Sequence, residues 1–132
     1  MHDGEKVAIV LVAAQGDVLN NIRAALAHSN FAVLYAQTKH GAIALLARLT
    51  CEIDLAIIEV EIPDFACDLI RQLTWRRQMP VKIIATTSLY PEPVLTKVRK
   101  LGVDAVVPKA MPPEEWRRLI EAVLWEPEGT AA

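Results

Sequence analysis

The sequence predicts an α/β domain in which five parallel strands alternate with five helices. Short apolar segments begin near Val7, Phe31, Leu55, Val81 and Ala105, at intervals of about 24 to 26 residues. The residues between these segments carry apolar side chains at helical spacing. A chain of 132 residues, 53% of them hydrophobic, is long enough for one such domain with a buried core and too short for two.

The strand that begins at Leu55 carries the strongest signal of the five. Four apolar residues follow one another from Leu55 to Ile58, which is typical of a strand covered on both faces. Strands of that kind belong to parallel sheets with helices on both sides. We therefore expect a central sheet between two layers of helices.

The segments between the strands each predict a helix with one apolar face. In chain order, the residues that define the first four faces are Val18, Ile22, Ala25 and Leu26; Ala42, Leu45, Leu46 and Leu49; Leu69, Ile70 and Leu73; and Val94, Leu95, Val98 and Leu101. Asp17 is expected to cap the first helix. The fifth helix is predicted to open at Pro112-Pro113-Glu114-Glu115, since proline and acidic residues are favoured in a first turn.

Right-handed crossover connections restrict such a chain to few topologies. The flavodoxin-like order 2-1-3-4-5 is the expected one, giving a three-layer (βα)5 sandwich. The predicted domain spans residues 6–125, and we expect flexible termini at residues 1–5 and 126–132.

Composition argues against several classes of function. A net charge of -2 creates no general attraction to nucleic acid or to anionic membranes, and no apolar run approaches the roughly 18 residues of a membrane span. Cys51 and Cys67 lack partners at metal-binding spacing, and the amino-terminal residues lack the apolar core of a secretion signal. We expect a cytoplasmic protein that binds neither nucleic acid nor membrane through this segment.

Open parallel sheets bind ligands beyond the carboxyl ends of their strands. In the predicted order, the first, third, fourth and fifth strands end close together, so one shallow crevice should be lined by Ala13-Ala14, Glu59 to Glu61, Ala85 to Thr87, and Lys109. Only the third and fifth strands supply charges to it.

Three segments resemble the receiver domain of bacterial two-component response regulators. Residues 54–63 are similar to the strand that carries the phosphoacceptor, residues 80–86 to the fourth strand, and residues 102–109 to the fifth strand with its lysine. The resemblance covers nearly the whole chain, from about Lys6 to Trp125.

The resemblance implies that most of the phosphorylation chemistry is missing. Glu59 stands at the position of the phosphoacceptor aspartate, and Ala13 and Ala14 stand at the positions of the acid pair that binds the metal. The hydroxyl of the fourth strand falls on Ala85, with Thr86 one residue later. The aromatic switch residue falls on Val106, and only the lysine, Lys109, matches the usual set.

These departures predict a pseudo-receiver that acts through protein contacts, without catalysis, metal or cofactor. Lys109 is expected to pair with Glu59 or Glu61. That ion pair either fixes the loop or mimics the phosphorylated state. Two alternatives remain open: a flavodoxin-like domain that binds a small ligand in the emptied crevice, and an active receiver in which Glu61 or Asp64 replaces the lost acids.

Receiver domains commonly dock partners through the face made by the fourth helix, the fifth strand and the fifth helix. The resemblance therefore implies a protein partner or a homodimer at this face. Trp116 and Trp125, both in the fifth predicted helix, are the interface candidates, because aromatic residues are enriched in binding hot spots.

Overall fold

Five parallel strands form one sheet in the order β2-β1-β3-β4-β5. The computed structural model describes residues 8–49, 53–61, 69–73, 81–88 and 92–125. The strands are β1 (Ile9–Ala13), β2 (Ala32–Ala36), β3 (Leu55–Glu59), β4 (Lys82–Thr87) and β5 (Ala105–Pro108). The predicted α/β class and strand order are confirmed.

Helices cover both faces of this sheet. They are α1 (Gly16–Leu26), α2 (Lys39–Arg48), a helix α3 of which residues 69–73 are described, α4 (Glu92–Lys100) and α5 (Pro113–Trp125). Within the described ranges, no helix has both the length and the apolar character needed to cross a bilayer. The expected flexible termini, residues 1–5 and 126–132, and both cysteines lie outside the described residues.

The core is divided by the sheet into two apolar clusters. On one face, side chains of β1, β3 and β4 pack against α1 and α5; on the other, they pack against α2 and α3. β3 alternates between the two, with Leu55 and Ile57 in the first cluster and Ala56 and Ile58 in the second, and all four are fully buried. The prediction that this strand is covered on both faces is confirmed.

The first helix begins differently from the expectation. Gln15 is the N-cap of α1 and makes no side-chain capping hydrogen bond, while Asp17 lies in the first turn. Asp17 is therefore not the cap, although an acid in this turn still interacts favourably with the helix dipole. The second helix is capped by Thr38, whose hydroxyl oxygen accepts a hydrogen bond from the Gly41 N–H at 2.9 Å.

Two aspartates fix the amino edge of the sheet. Asp54, just before β3, accepts a hydrogen bond from the Ile9 N–H at 2.8 Å, and Asp104, just before β5, accepts one from the Ile83 N–H at 2.7 Å. Each carboxylate thus satisfies a main-chain donor of an adjacent strand. One of these contacts ties β1 to the start of β3, and the other ties β4 to the start of β5.

Candidate functional site

Glu59 lies at the carboxyl end of β3 and is 7% exposed. Its Oε2 is 2.7 Å from the Lys109 Nζ, and its Oε1 accepts a hydrogen bond from the main-chain N–H of Gln15 at 2.8 Å. Both carboxylate oxygens of Glu59 are therefore engaged by donors of the chain itself. The predicted pairing of Lys109 with Glu59 is present.

The lysine joins a second carboxylate to this centre. Its Nζ is 3.1 Å from Glu61 Oε1, and the hydroxyl of Thr87 donates a hydrogen bond to Glu61 Oε2. The main-chain N–H of Lys109 also donates to the Thr87 carbonyl at 3.1 Å. We call the set Gln15, Glu59, Glu61, Thr87 and Lys109 the carboxyl-edge network, because it joins the ends of β1, β3, β4 and β5.

The charge of Lys109 is stabilised within this network. Burial disfavours the ammonium and lowers the pKa of Lys109, but hydrogen bonds and attraction from Glu59 and Glu61 outweigh it, so the pKa is raised above its ordinary value of 10.5. Lys109 therefore carries a positive charge across the physiological range. Two carboxylates share this one cation.

The positions of the expected acid pair present only methyl groups. Ala13 ends β1 and Ala14 follows it, and both are fully buried. The Ala14 N–H donates to the Ala36 carbonyl at 3.1 Å, which continues the ladder with β2. The chain thus offers no side-chain oxygen at either position.

The three switch-equivalent positions lie on β4 and β5. Ala85 is aligned with Ile58 on one side and Val106 on the other, and Thr86 is aligned with Glu59. The Thr86 hydroxyl is buried and has no hydrogen-bond partner among the described residues. Ala85 is fully buried and carries no hydroxyl, so the hydroxyl that does reach the network belongs to Thr87.

Two members of the network were not identified as site residues from the sequence. Thr87 was placed in the crevice without a role, and Gln15 acts through its main-chain N–H, which any residue other than proline would supply. The sequence does show a hydroxyl residue, Thr87, two positions after Ala85 near the end of the fourth strand, and this could have indicated its role. No side-chain pattern could have indicated Gln15.

The remaining charges do not form a metal-binding set. Among the described residues, no group of three or more histidine, cysteine, aspartate or glutamate side chains is placed to hold a metal ion. Asp64, proposed as a displaced acid, lies outside the described residues. Glu61, the other proposed acid, is held by Lys109 and Thr87.

The two tryptophans of α5 occupy different environments. Trp116 is fully buried in the cluster between the sheet and the α1–α5 layer, so its ring cannot touch a partner on the surface. This placement corrects the expectation that Trp116 forms part of an interface. Trp125 is 60% exposed and stacks on Phe31, with ring centroids 5.5 Å apart.

Comparison with solved structures identifies receiver domains as structural neighbours. A response regulator from Thermotoga maritima aligns with a TM-score of 0.74 at 19% identity, covering 90% of this chain and 98% of that one. The chemotaxis response regulator CheY4 of Vibrio cholerae aligns with a TM-score of 0.78 at 17% identity, covering 90% and 100%. A CheY-like receiver domain protein from Methanospirillum hungatei gives 0.77 at 20%, covering 91% and 94%.

These identities show a shared fold and leave the chemistry of the site to its own residues. No family model matches the sequence. No curated protein matches it either. The receiver resemblance is thus confirmed at the level of the fold.

Proposed function

We propose that this chain is an atypical receiver module that acts in signal transduction through protein contacts, independently of phosphorylation. The observation that carries the proposal is the state of the Glu59 carboxylate, which is bound by the Lys109 ammonium at 2.7 Å and by the Gln15 N–H at 2.8 Å. A receiver that accepts a phosphoryl group needs a free carboxylate oxygen and a metal at this place.

The residues present do not fit the magnesium ion of an active receiver. Magnesium is held by oxygen ligands in near-octahedral geometry, usually with one or two carboxylates. Ala13 and Ala14 supply no side-chain oxygen. Glu59 and Glu61 already share an ammonium, at 2.7 and 3.1 Å, and a divalent cation entering between them would be repelled by Lys109.

Phosphoryl transfer would lose most of its catalysis without that metal. The reaction depends on positioning and on neutralising the charge of the transferred group. The network carries two carboxylates and one ammonium, so its net charge of about -1 opposes an incoming anionic donor. This charge balance favours a non-enzymatic role.

Two roles remain for the ion pair within the proposal. In the first, Glu59 and Lys109 hold the loops at the carboxyl edge in one arrangement. In the second, Glu59 mimics a phosphorylated residue and keeps the partner-binding face constantly active. The second role is the less favoured one, because the carboxylate of Glu59 carries less negative charge and fewer acceptor oxygens than a phosphate.

The face made by α4, β5 and α5 is the proposed docking surface for a cytoplasmic protein partner. Its α4 portion exposes three cations in the last turn, Lys97, Arg99 and Lys100. Trp116 is excluded from this surface by burial. We propose neither nucleic acid nor a membrane as a binding partner of this segment.

The deciding experiment is a two-dimensional amide NMR titration with magnesium, followed by magnesium plus beryllofluoride. We expect no saturable shifts around Glu59, Thr86 and Lys109 up to millimolar additions. The matched control is the triple variant Ala13→Asp, Ala14→Asp and Glu59→Asp, which restores the missing carboxylates and shows whether the scaffold can bind the two ligands. Saturable shifts in the unmodified chain would overturn the proposal and restore the active receiver.

The two roles of the ion pair are separated by the variant Glu59→Ala. If Glu59 mimics a phosphorylated residue, amide shifts in the variant extend from the network to α4 and β5. If the pair only fixes the loops, the shifts remain at the residues that contact Glu59. Glu59→Gln is the control, because it keeps the size and one acceptor oxygen and removes the charge.

A further inference from the structure

β2 is an edge strand of the sheet, and no strand of the described ranges pairs with its outer side. Hydrogen bonds from the Ala32 N–H to the Ala8 carbonyl, at 2.9 Å, and from the Ala14 N–H to the Ala36 carbonyl, at 3.1 Å, show which main-chain groups face β1. Because these groups alternate along a strand, those of Leu34 also face β1, and those of Val33 and Tyr35 point outward. No described residue hydrogen-bonds to these outward groups.

The two edges of the sheet differ in how they discourage pairing. β5 has four residues, ends at Pro108, and is flanked directly by the charged residues Asp104 and Lys109. Short length, proline and charge are the features that blunt an edge strand. β2 reads Ala-Val-Leu-Tyr-Ala and contains neither a charge nor a proline. Only β2 therefore remains suited to further pairing.

We propose that β2 pairs antiparallel with β2 of a second copy of this chain, about a two-fold axis at Leu34. With Leu34 at the axis, Val33 of each copy lies opposite Tyr35 of the other. In an antiparallel ladder, such an opposite pair exchanges both of its N–H···O=C bonds. The outward groups of Val33 and Tyr35 are then satisfied by one another, and each copy uses the same residues, as a closed dimer requires.

The side chains along β2 suit this register. Val33 and Tyr35 lie on the same face of the sheet, against the α1–α5 cluster, so the proposed pairing places a β-branched residue beside an aromatic one at two related positions. Such cross-strand pairs stabilise antiparallel sheets. Ala32, which is exposed, lies opposite Ala36, and neither brings a charge or a bulky group to the junction.

An exposed aromatic surface adjoins the same edge. Trp125 is the one large hydrophobic side chain among the described residues that is mostly exposed, and it stacks on Phe31, immediately before β2. Arg23 lies over the Tyr35 ring, 4.7 Å from its centroid, and holds that side chain in place. Exposed apolar surface next to unpaired main-chain groups is typical of an interface.

A second copy is the occupant that this geometry favours over an unrelated strand. The outward groups of Val33 and Tyr35 are symmetric about Leu34, so β2 is complementary to itself without any other sequence. The pairing leaves α4 and β5 free, because β2 and β5 are at opposite ends of the sheet, and only Trp125 at the end of α5 adjoins the dimer contact. The inference therefore holds independently of the partner proposed above.

The test combines oligomeric state with main-chain protection in the full chain. We expect sedimentation equilibrium to show a monomer–dimer equilibrium between micromolar and millimolar concentrations. The amides of Val33 and Tyr35 should exchange slowly with solvent at the high end and rapidly at the low end. Raising the salt concentration should leave the equilibrium almost unchanged, since the contact carries no ion pair.

Two variants separate the edge from the rest of the surface. Val33→Pro removes an outward N–H without removing a bond to β1, and proline is tolerated where the N–H of an edge strand faces solvent. Ala32→Glu adds a charge at the first residue of β2, with Ala32→Ser as its uncharged control. We expect Val33→Pro and Ala32→Glu to raise the dimer dissociation constant at least tenfold, and Ala32→Ser to leave it within about twofold.

Several outcomes would overturn the inference. One is a chain that remains monomeric at every concentration. A dimer in which the Val33 and Tyr35 amides stay unprotected would place the contact elsewhere, and protected amides in a monomer would show that another part of the chain covers β2. If Val33→Pro fails to fold, the comparison of Ala32→Glu with Ala32→Ser, together with the exchange data, still decides the question.

Discussion

Carboxylates serve both ends of the sheet, but in different ways. At the amino end, Asp54 and Asp104 each accept one main-chain hydrogen bond from an adjacent strand, at 2.8 and 2.7 Å. At the carboxyl end, Glu59 and Glu61 share one ammonium and extend the contact to Thr87 and to the main chain of Gln15. The contacts given for the first arrangement are made to main-chain donors, whereas the second joins side chains into one connected network.

Open parallel sheets bind ligands at their carboxyl edge, and in this chain an ion-pair network lies at that edge. The carboxylates of Asp54 and Asp104 at the amino edge accept hydrogen bonds from main-chain donors of neighbouring strands. At the carboxyl edge, the Lys109 ammonium supplies the positive charge that two neighbouring carboxylates require. Removing one member of the carboxyl-edge network should therefore disturb its other members, whereas we expect no such coupling between Asp54 and Asp104.

The largest expected effect follows from removing the cation. Lys109→Met leaves Glu59, which is 7% exposed, without its ion-pair partner. We expect the free energy of unfolding at neutral pH to fall by about 2 to 3 kcal/mol, because a buried charge that loses its partner keeps its desolvation cost. Urea denaturation followed by circular dichroism measures this change.

The matched variant tests whether the carboxyl end acts as one network. The double variant Lys109→Met, Glu59→Gln should lose much less stability than the sum of the losses of the two single variants, with a coupling of about 1 kcal/mol or more. If the losses of the two single variants simply add, the carboxyl end does not act as one network and does not differ from the amino end in this respect. A loss below about 0.5 kcal/mol for Lys109→Met would show that Glu59 is solvated well enough without the lysine.

Alkaline pH should weaken the network before it weakens the aspartate contacts at the amino end. The pKa of Lys109 is raised above 10.5 in the folded chain, so its contribution to stability is complete below 10.5 and is lost as the pH rises through the folded value. The native chain should therefore lose stability more steeply above pH 10.5 than Lys109→Met does. Denaturation midpoints across that range provide the measurement.

Tyrosine titration is the main competing effect in the same pH range. Burial raises the pKa of Tyr35, while the nearby Arg23 partly opposes the shift. Tyr35 is present in both proteins, so its effect cancels in their difference. Equal slopes for the native chain and for Lys109→Met would contradict the role given to the lysine.

The aspartate contacts at the amino end should give smaller and independent effects. Asp104→Ala removes the acceptor of the Ile83 N–H, and we expect a loss of about 1 kcal/mol. Asp54→Ala removes the acceptor of the Ile9 N–H, and we expect a loss of about 1 kcal/mol or more. The double variant should equal the sum within about 0.5 kcal/mol, and a larger departure would show that this edge is also connected.

The fold was predictable from the sequence because its periodicities are strong. The run from Leu55 to Ile58 indicated a strand covered on both faces, and β3 has that environment. Helical spacing identified Val18, Ile22, Ala25 and Leu26, all of which are buried on α1. Such patterns reflect burial, which the apolar residues of a sequence record directly.

The site was only partly predictable, since some of its contacts leave no side-chain signal. Lys109 and Glu59 were paired correctly because the ends of β3 and β5 meet at the same edge of the sheet. The N–H of Gln15 could not be anticipated, as it depends on how the chain turns into α1. Trp116 was assigned to an interface by residue type, and the direction of its ring placed it in the core instead.

The smallest expected effect comes from an ion pair on the surface of α5. Arg117 Nε lies 3.4 Å from Glu121 Oε2, and the two side chains are 54% and 42% exposed. We expect Arg117→Gln to change the free energy of unfolding by less than about 0.5 kcal/mol, because solvent screens the pair and a basic residue preceding an acid at this spacing is the less favourable order. Lys109 and Glu59 carry the same two charges but are closer, more buried and joined by Glu61, so we expect that pair to contribute more to stability. A loss near 2 kcal/mol in the same urea series would mean that exposure does not separate the two pairs.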